Sequence, residues 1–163
     1  MRFLKILIIT SAALLISCGF KLQGMTDMPK WFNYVTIVNQ NMTADLQPII
    51  KERLKAYKIC VCSDIKKAKY LLILEEDNFS EQITSVSSST TPRQYQMTYG
   101  VKYKVEEANG KDIIPTNSAV VTRQFTINSN RILGSDFEGD LLKREMYSDA
   151  VTQILDHIEN DKR

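Results

Sequence analysis

The feature that most constrains the fold is a strict alternation of apolar and polar side chains over residues 95–105. Within this segment every second residue is apolar: Tyr95, Met97, Tyr99, Val101, Tyr103 and Val105. Successive side chains of a β-strand point to opposite faces, so a period of two indicates a strand with one apolar face. The segment therefore predicts a long strand that is buried on one side.

Two more strands and a loop are predicted before this segment. Residues 34–38 are rich in β-branched side chains, and residues 70–74 form a continuous apolar run typical of a strand covered on part of both faces. Residues 84–92, Thr-Ser-Val-Ser-Ser-Ser-Thr-Thr-Pro, have no core-forming pattern. We expect them to form a polar loop.

A partner strand is predicted after the alternating segment. Asn109-Gly110 is a tight-turn signal because both residues tolerate positive φ. An irregular stretch through Pro115 is expected to follow the turn. The partner strand then continues the alternation at Ala119, Val121, Phe125 and Ile127.

Two segments have helical periodicity. The first is expected to begin near residues 43–45, which would place Pro48 in the first turn, and its apolar positions are Leu46, Ile49, Ile50, Leu54 and Tyr57. The second is expected to begin after Gly139, with an apolar stripe at Leu142, Met146, Val151, Ile154, Leu155 and Ile158. The order strand, helix, three strands, helix predicts an α+β fold, a mostly antiparallel four-stranded sheet with two helices packed on one face.

The N-terminal segment has the parts of an export signal. Arg2 and Lys5 precede an apolar run over residues 6–16, and the small Ser17 precedes Cys18. The run is shorter than the roughly 20 residues that span a bilayer. We therefore expect a cleaved signal rather than a retained transmembrane helix.

Residues 15–18, Leu-Ile-Ser-Cys, resemble a bacterial lipobox. The resemblance implies cleavage before Cys18, a diacylglycerol on its thiol and an N-acyl chain on the new amino group. The expected organisation is a signal peptide (1–17), a lipidated tether (18–32) and a single α+β domain (33–163). A secreted protein with a chance cysteine is the alternative.

The formal charge and the residue after Cys18 also bear on the function and the location expected of a lipoprotein. Loss of Arg2 and Lys5 with the signal would bring the formal net charge from +2 to zero, so no basic balance points to nucleic acid. Gly19 follows the lipidated position, where aspartate is the inner-membrane retention signal of Gram-negative lipoproteins. This resembles an outer-membrane lipoprotein that faces the periplasm.

Cys60 and Cys62 flank Val61. In an extended strand their Cα atoms would lie near the ~6.8 Å limit for a disulfide, so a bridge is possible in an oxidising compartment but would be strained. One Cys-x-Cys pair and one histidine do not supply the four ligands of a structural zinc site. The preferred interpretation is two small buried hydrophobic residues.

Three stretches resemble the LptE family of lipopolysaccharide-assembly lipoproteins. They are residues 18–22 (Cys-Gly-Phe-Lys-Leu), residues 95–97 (Tyr-Gln-Met) at the head of the alternating strand, and residues 144–147 (Arg-Glu-Met-Tyr) in the last helix, which Ala150, Gln153 and Ile154 follow. The resemblance implies a non-catalytic outer-membrane lipoprotein that plugs the LptD β-barrel one to one. The pair would insert lipopolysaccharide into the outer leaflet.

Arginines are the candidate contacts for the lipid A phosphates, since Arg binds phosphate in bidentate geometry. Arg93 ends the predicted polar loop, and Arg131 precedes the last helix. A solvated surface arginine is the alternative for both. Arg123 differs because it falls on the apolar face of its strand, where a charge needs a partner or a path to water. We interpret it as one member of a structural pair or as an arginine at the end of the sheet, and otherwise as an interface contact.

Catalysis has little support in the sequence. The single histidine, His157, lies near the end of the last helix, and no nucleophile-elbow motif or phosphate-binding glycine loop occurs. No resident cofactor or metal is expected besides the covalent lipid. The remaining alternative is a periplasm-facing scaffolding or pilotin-type lipoprotein of another envelope system.

Overall fold

The computed structural model describes residues 28–86, 92–126 and 132–161, and for residues 92 and 132–137 it describes the backbone alone. Four strands and two helices follow one another in the order β1 (Val35–Asn41), α1 (Gln47–Ala56), β2 (Tyr70–Val86), β3 (Pro92–Glu107), β4 (Asp112–Thr126) and α2 (Ile132–Asn160). The sheet order is β1-β2-β3-β4, with β1 parallel to β2 and the other two pairs antiparallel. The predicted α+β fold is confirmed.

One continuous core lies between the sheet and the helices. The apolar positions predicted for β3 line it from Met97 to Val105, and Ile50 of α1 and Ile154 of α2 are fully buried in the same cluster. Both helices therefore cover the same face of the sheet. Burial of their apolar stripes against the sheet provides most of the stability of both helices.

Helix α1 begins at Gln47, later than the predicted start near residues 43–45, and both of its ends have a clear structural cause. Pro48 lies in the first turn, where a missing amide costs no intrahelical bond. At the other end Lys58 adopts a left-handed φ of 59°, and the amide of Ile59 donates to the carbonyl of Leu54 at 2.9 Å. This pairing closes the helix before the chain turns towards β2.

The hairpin of β2 and β3 is longer than predicted. Residues 84–86 continue β2 and Pro92 begins β3, with Ser85 opposite Gln94 and Val86 opposite Pro92. The loop prediction was wrong at both ends, and residues 87–91 lie outside the described part. A run of serine and threonine has no alternation of apolar and polar side chains. Its backbone groups can nevertheless form the hydrogen bonds of a strand, as those of apolar residues do. Proline is tolerated as the first residue of a strand.

Strand β4 and helix α2 also begin earlier than predicted. Gly110 takes the positive φ of 87° in the β3–β4 turn, and β4 starts at Asp112 and includes Pro115. An edge strand tolerates a proline because its outward amide has no ladder partner to lose. Helix α2 starts at Ile132 and runs through Gly139. A glycine inside a helix lowers its stability by about 1 kcal/mol, and a helix of 29 residues forms despite this loss. Ile127 lies outside the described residues.

Candidate partner-binding surface

The sheet face that the helices leave uncovered is polar. Hydroxyl and amide side chains pair across β3 and β4, with Thr98 and Thr122 at 3.3 Å and the amide of Gln94 donating to Gln124 at 3.3 Å. Nearer the middle, Lys102 donates to Glu76 at 2.6 Å. This hydrogen bond, with the charge of Glu76, raises the pKa of Lys102. We call this face of β2, β3 and β4 the open face.

Charges on the open face are paired rather than free. Lys104 lies 2.5 Å from Glu106 and 3.8 Å from Glu75, and the hydroxyl of Thr116 donates to Glu75 at 3.1 Å. The bond to Glu106 raises the pKa of Lys104. Surface pairs like these, whose side chains are between 18% and 56% exposed, contribute little stability, about 0–1 kcal/mol each. They leave a surface that is polar yet nearly neutral.

A shallow depression of about 450 Å³ lies on the open face, where Gly100 of β3 meets Val120 of β4. A Cβ built on Gly100 would lie 3.8 Å from Cγ2 of Val120, an ordinary van der Waals contact. Lys102, Ser118 and Asn78 complete the rim. Gly100 adds no side chain to the depression, and a Cβ at this position would make only an ordinary contact.

Arg93 lies at the far end of the sheet from Met28, exposed at the start of β3. Two apolar side chains near the end of β2, Ile83 and Val86, are 55% and 54% exposed, so this end carries apolar surface that nothing in the described chain covers. Arg131 lies outside the described residues. The two candidate lipopolysaccharide contacts are therefore not brought together by any observed geometry.

Arg123 has the structural partner that the sequence predicted. Its guanidinium forms an ion pair with Asp149 of α2. One turn further along α2, Gln153 accepts from the amide of Val120 at 3.1 Å and donates to its carbonyl at 3.2 Å. Gln153 thus occupies the two backbone groups that an added strand would use. No sequence pattern indicated this role for Gln153.

Asp77 is a second residue whose role the sequence did not indicate. Its Oδ1 accepts from the amide of Thr43 at 2.6 Å and the hydroxyl of Thr43 at 2.8 Å, and its Oδ2 accepts from the amide of Ala44 at 2.9 Å and the hydroxyl of Tyr99 at 3.0 Å. Burial alone would raise the pKa of Asp77, but these four hydrogen bonds outweigh it and lower the pKa. Burial and the bond to Asp77 raise the pKa of Tyr99.

His157 has structural partners. Its Nδ1 lies 2.7 Å from the hydroxyl of Tyr103 and 3.2 Å from the side-chain nitrogen of Asn117. Burial raises the pKa of Tyr103 to about 12, so this hydroxyl stays protonated at neutral pH. These contacts join the end of α2 to β3 and β4.

The prediction that both cysteines are buried was wrong. Cys60 is exposed and Cys62 half-buried, and neither is in a disulfide. The amide of Val35 donates to Cys60 at 3.0 Å and that of Cys62 to Val35 at 2.8 Å, so this short segment pairs with the start of β1 at the sheet edge. An edge position leaves both thiols outside the core.

Two further features concern the described ranges, residues 28–86, 92–126 and 132–161. No helix there is long and apolar enough to cross a membrane. Among the same residues, no three His, Cys, Asp or Glu side chains cluster as a metal site would require. The open face and the far end of the sheet remain as the candidate contact surfaces.

Comparison with known proteins decides the family. The LptE family model, described as lipopolysaccharide-assembly, matches residues 33–158. The chain belongs to the LptE family. Two relatives named LPS-assembly lipoprotein LptE are similar to it: that of Pectobacterium atrosepticum is 25% identical over 159 residues (95% of this chain, 85% of the relative), and that of Photorhabdus laumondii is 23% identical over 154 residues (94% and 84%).

Solved structures show the same fold. An uncharacterized lipoprotein B from Nitrosomonas europaea matches with a TM-score of 0.71 and 22% identity over 86% of this chain and 90% of that one. The rare lipoprotein B from Shewanella oneidensis matches with a TM-score of 0.61 and 19% identity over 76% and 92%. The sheet and helices of this LptE-family chain are therefore an architecture already seen among bacterial lipoproteins.

Proposed function

We propose that this protein is an outer-membrane lipoprotein that plugs the LptD β-barrel and assists its assembly, so that the pair inserts lipopolysaccharide into the outer leaflet. The family match over residues 33–158 carries the proposal. The relatives' name, LPS-assembly lipoprotein, supports the pathway. The role is binding rather than catalysis.

The open face has the properties that a plug needs. The interior of a wide transmembrane barrel is polar, so a domain inside it must present polar side chains of complementary shape. Paired charges such as Lys102–Glu76 suit that position because they leave little net charge to desolvate on docking. Strand β3 alone has 16 residues and spans roughly 54 Å, about twice the roughly 25 Å apolar band of such barrels.

We further propose that Cys18 carries a diacylglycerol and an N-acyl chain as the membrane anchor. Residues 18–27 would then connect the lipid to Met28, at the end of the sheet where β1 and β2 begin. Lipopolysaccharide contact is proposed for Arg93, at the opposite end of the sheet, and for Arg131. The anchor and Arg93 would then lie at opposite ends of the sheet.

Affinity purification of the tagged full-length protein from detergent-solubilised outer membranes tests the plug. After a high-salt wash, mass spectrometry is expected to find a stoichiometric barrel of LptD size. Recovery of secretion components, cell-wall fragments or nothing would reject the plug and favour the scaffolding or pilotin-type alternative.

A variant of the open face sharpens the experiment. Gly100→Trp places a bulky side chain at the depression, where a Cβ makes only an ordinary contact, and it should reduce barrel recovery strongly. Lys51→Trp on the exposed side of α1 is the matched control and should recover the barrel normally. Circular dichroism of both purified variants establishes that they fold. Equal recovery by two folded variants would show that the open face does not contact the barrel.

A further inference from the structure

The end of the sheet nearest to Met28 carries an excess of lysine. The connection between α1 and β2 includes four exposed lysines, Lys58, Lys66, Lys67 and Lys69, and a single acid, Asp64. The carboxylate of Asp64 accepts from the backbone amide of Lys66 at 3.0 Å and caps a short 3₁₀ turn. The connection between α1 and β2 therefore carries four cationic side chains and one carboxylate.

Hydrogen bonds join the segment that carries these lysines to the residues before β1. The amide of Lys69 donates to the carbonyl of Tyr34 at 2.8 Å, and the amide of Cys60 donates to the side chain of Asn33 at 3.4 Å. The residues that precede β1 and the residues that precede β2 therefore form one surface. We call Tyr34, Ile65 and the four lysines the basic end.

The charges of the basic end are not neutralised within the described part of the chain. The ion pairs there use Lys102, Lys104, Arg123 and Lys143, which belong to β3, β4 and α2. Of the basic-end lysines, Lys69 has its ammonium 5.3 Å from the centroid of the Tyr70 ring. The cationic groups are thus available to an external anion.

Apolar groups are exposed among these charges. Tyr34 and Ile65 are each 53% exposed. A cleft of about 650 Å³ opens beside Tyr34 and is lined by Lys67, Lys69 and Glu107. Glu107, whose carboxylate accepts from the side chain of Asn109 at 2.9 Å, is the one acid of this lining, beside two lysines.

We propose that the basic end binds the headgroups of anionic phospholipids in the membrane that holds the lipid anchor, with Tyr34 and Ile65 entering the interface. The proposal rests on the lipid attachment at Cys18 proposed above. Residues 18–27 reach at most about 35 Å, so the tether keeps the basic end close to that membrane. Lysines beside exposed aromatic and aliphatic groups are typical of such surface contacts.

The composition favours a membrane over a single anionic site on a protein. The basic end contains lysine and no arginine, and lysine acts as a point charge without the bidentate fork that recognises one carboxylate or phosphate. A membrane surface whose negative charge is diffuse attracts any protein surface that carries net positive charge. Each lysine near such a surface contributes about a fivefold factor to its occupancy.

The exposed Cys60 provides a probe inside the basic end. The lipidated full-length protein carrying Cys62→Ser is purified from membranes, labelled at Cys60 with an environment-sensitive fluorophore and placed in nanodiscs of phosphatidylcholine, with or without phosphatidylglycerol. We expect phosphatidylglycerol to protect the probe from a water-soluble quencher and high salt to remove the protection.

Two matched variants separate local charge from total charge. Lys66→Gln with Lys67→Gln should weaken the contact about 25-fold, two lysines at about fivefold each, and abolish most of the protection. Lys51→Gln with Arg144→Gln removes the same charge from the exposed surface of the two helices. This variant should leave the protection of the probe intact. Equal quenching in the two lipid compositions, or equal loss in both variants, would overturn the proposal. Failure of the protein to enter nanodiscs at all would instead show that the lipid attachment is wrong, and the inference would fall with it.

Discussion

Asp77 connects separate parts of the chain through one carboxylate. It lies in β2 and receives hydrogen bonds from Thr43 and Ala44, which precede α1, and from Tyr99 of β3. Because the donors are 33 or 34 residues earlier and 22 residues later in the chain, no local pattern could predict them. The same holds for Gln153 and its partner Val120, 33 residues apart.

Asp77→Asn should destabilise the domain by about 1–3 kcal/mol, since an amide group in place of Oδ2 would face the amide of Ala44 donor to donor. Chemical denaturation at pH 7 measures the change. Glu76→Gln removes the neighbouring exposed carboxylate and should cost at most about 1 kcal/mol. Equal losses of stability in the two variants would show that the four hydrogen bonds of Asp77 stabilise the domain no more than an exposed carboxylate does.

The same carboxylate makes stability depend on pH. Its pKa is lowered in the folded state from the ordinary value of 3.8, so its contribution is complete above that value. The contribution is lost as the pH falls through the lowered pKa. In Asp77→Asn this acid-dependent loss should be smaller than in the parent protein, and denaturation curves from pH 7 down to acid conditions measure it. An unchanged pH profile would contradict the assignment.

Arg93 and Arg131 can be tested together as lipopolysaccharide contacts. Charge reversal of both (Arg93→Glu and Arg131→Glu) should weaken lipopolysaccharide binding, because each arginine would otherwise pair with a phosphate. The barrel complex should remain intact, since Arg93 lies at the far end of β3 rather than in the middle of the open face. Unchanged binding in a salt-matched assay would reject both residues.

At the scale of elements, the edge strand β4 depends on α2 for its protection. Gln153 occupies both backbone groups of Val120, and Asp149 pairs with Arg123 of the same strand. A helix that covers a sheet edge in this way prevents the edge from adding another chain. The other edge strand, β1, is partly covered by the pairing of Val35 with Val61.

Gln153→Ala should therefore increase self-association and cost about 1–3 kcal/mol, because the amide and carbonyl of Val120 lose their partners. Gln153→Glu keeps an acceptor for the amide of Val120 but loses the donor to its carbonyl. Its self-association and its stability should therefore lie between those of the parent protein and those of Gln153→Ala. Sedimentation velocity and thermal unfolding measure these effects. A monomeric, fully stable Gln153→Ala would show that the contact does not protect the edge.

Elements were predictable from the sequence where burial is one-sided. The alternation over residues 95–105 predicted β3 because its apolar face meets the core. The outer half of β2, residues 75–86, had no such signal, since its exposed side chains leave backbone pairing with β3 as its main constraint. Pro115 in β4 and Gly139 in α2 suggested breaks that tertiary packing overrides. The open face was not predicted as a surface, because its pairs join residues of different strands.

At the scale of the whole molecule, the two ends of the sheet have different chemistry. The lysine-rich end lies next to the proposed tether, and the end with Arg93, Ile83 and Val86 lies at the other extreme of the long hairpin. The neutral open face lies between them. Such polarity suits a protein with an anchor at one end and a lipid cargo at the other.

Cys18→Ala tests this polarity, because it removes the proposed attachment point and changes no residue of the described core. The variant should remain an unprocessed precursor while residues 33–158 fold normally. Loss of the acyl chains removes about 0.8 kcal/mol of membrane attachment per methylene, so anchoring would then depend on the uncleaved signal. Mass spectrometry of the N-terminus and membrane fractionation measure the outcome, with Cys60→Ala as the matched control that should be processed normally. Normal processing of Cys18→Ala with unchanged fractionation would contradict the lipid anchor, and with it the orientation of the basic end towards the membrane.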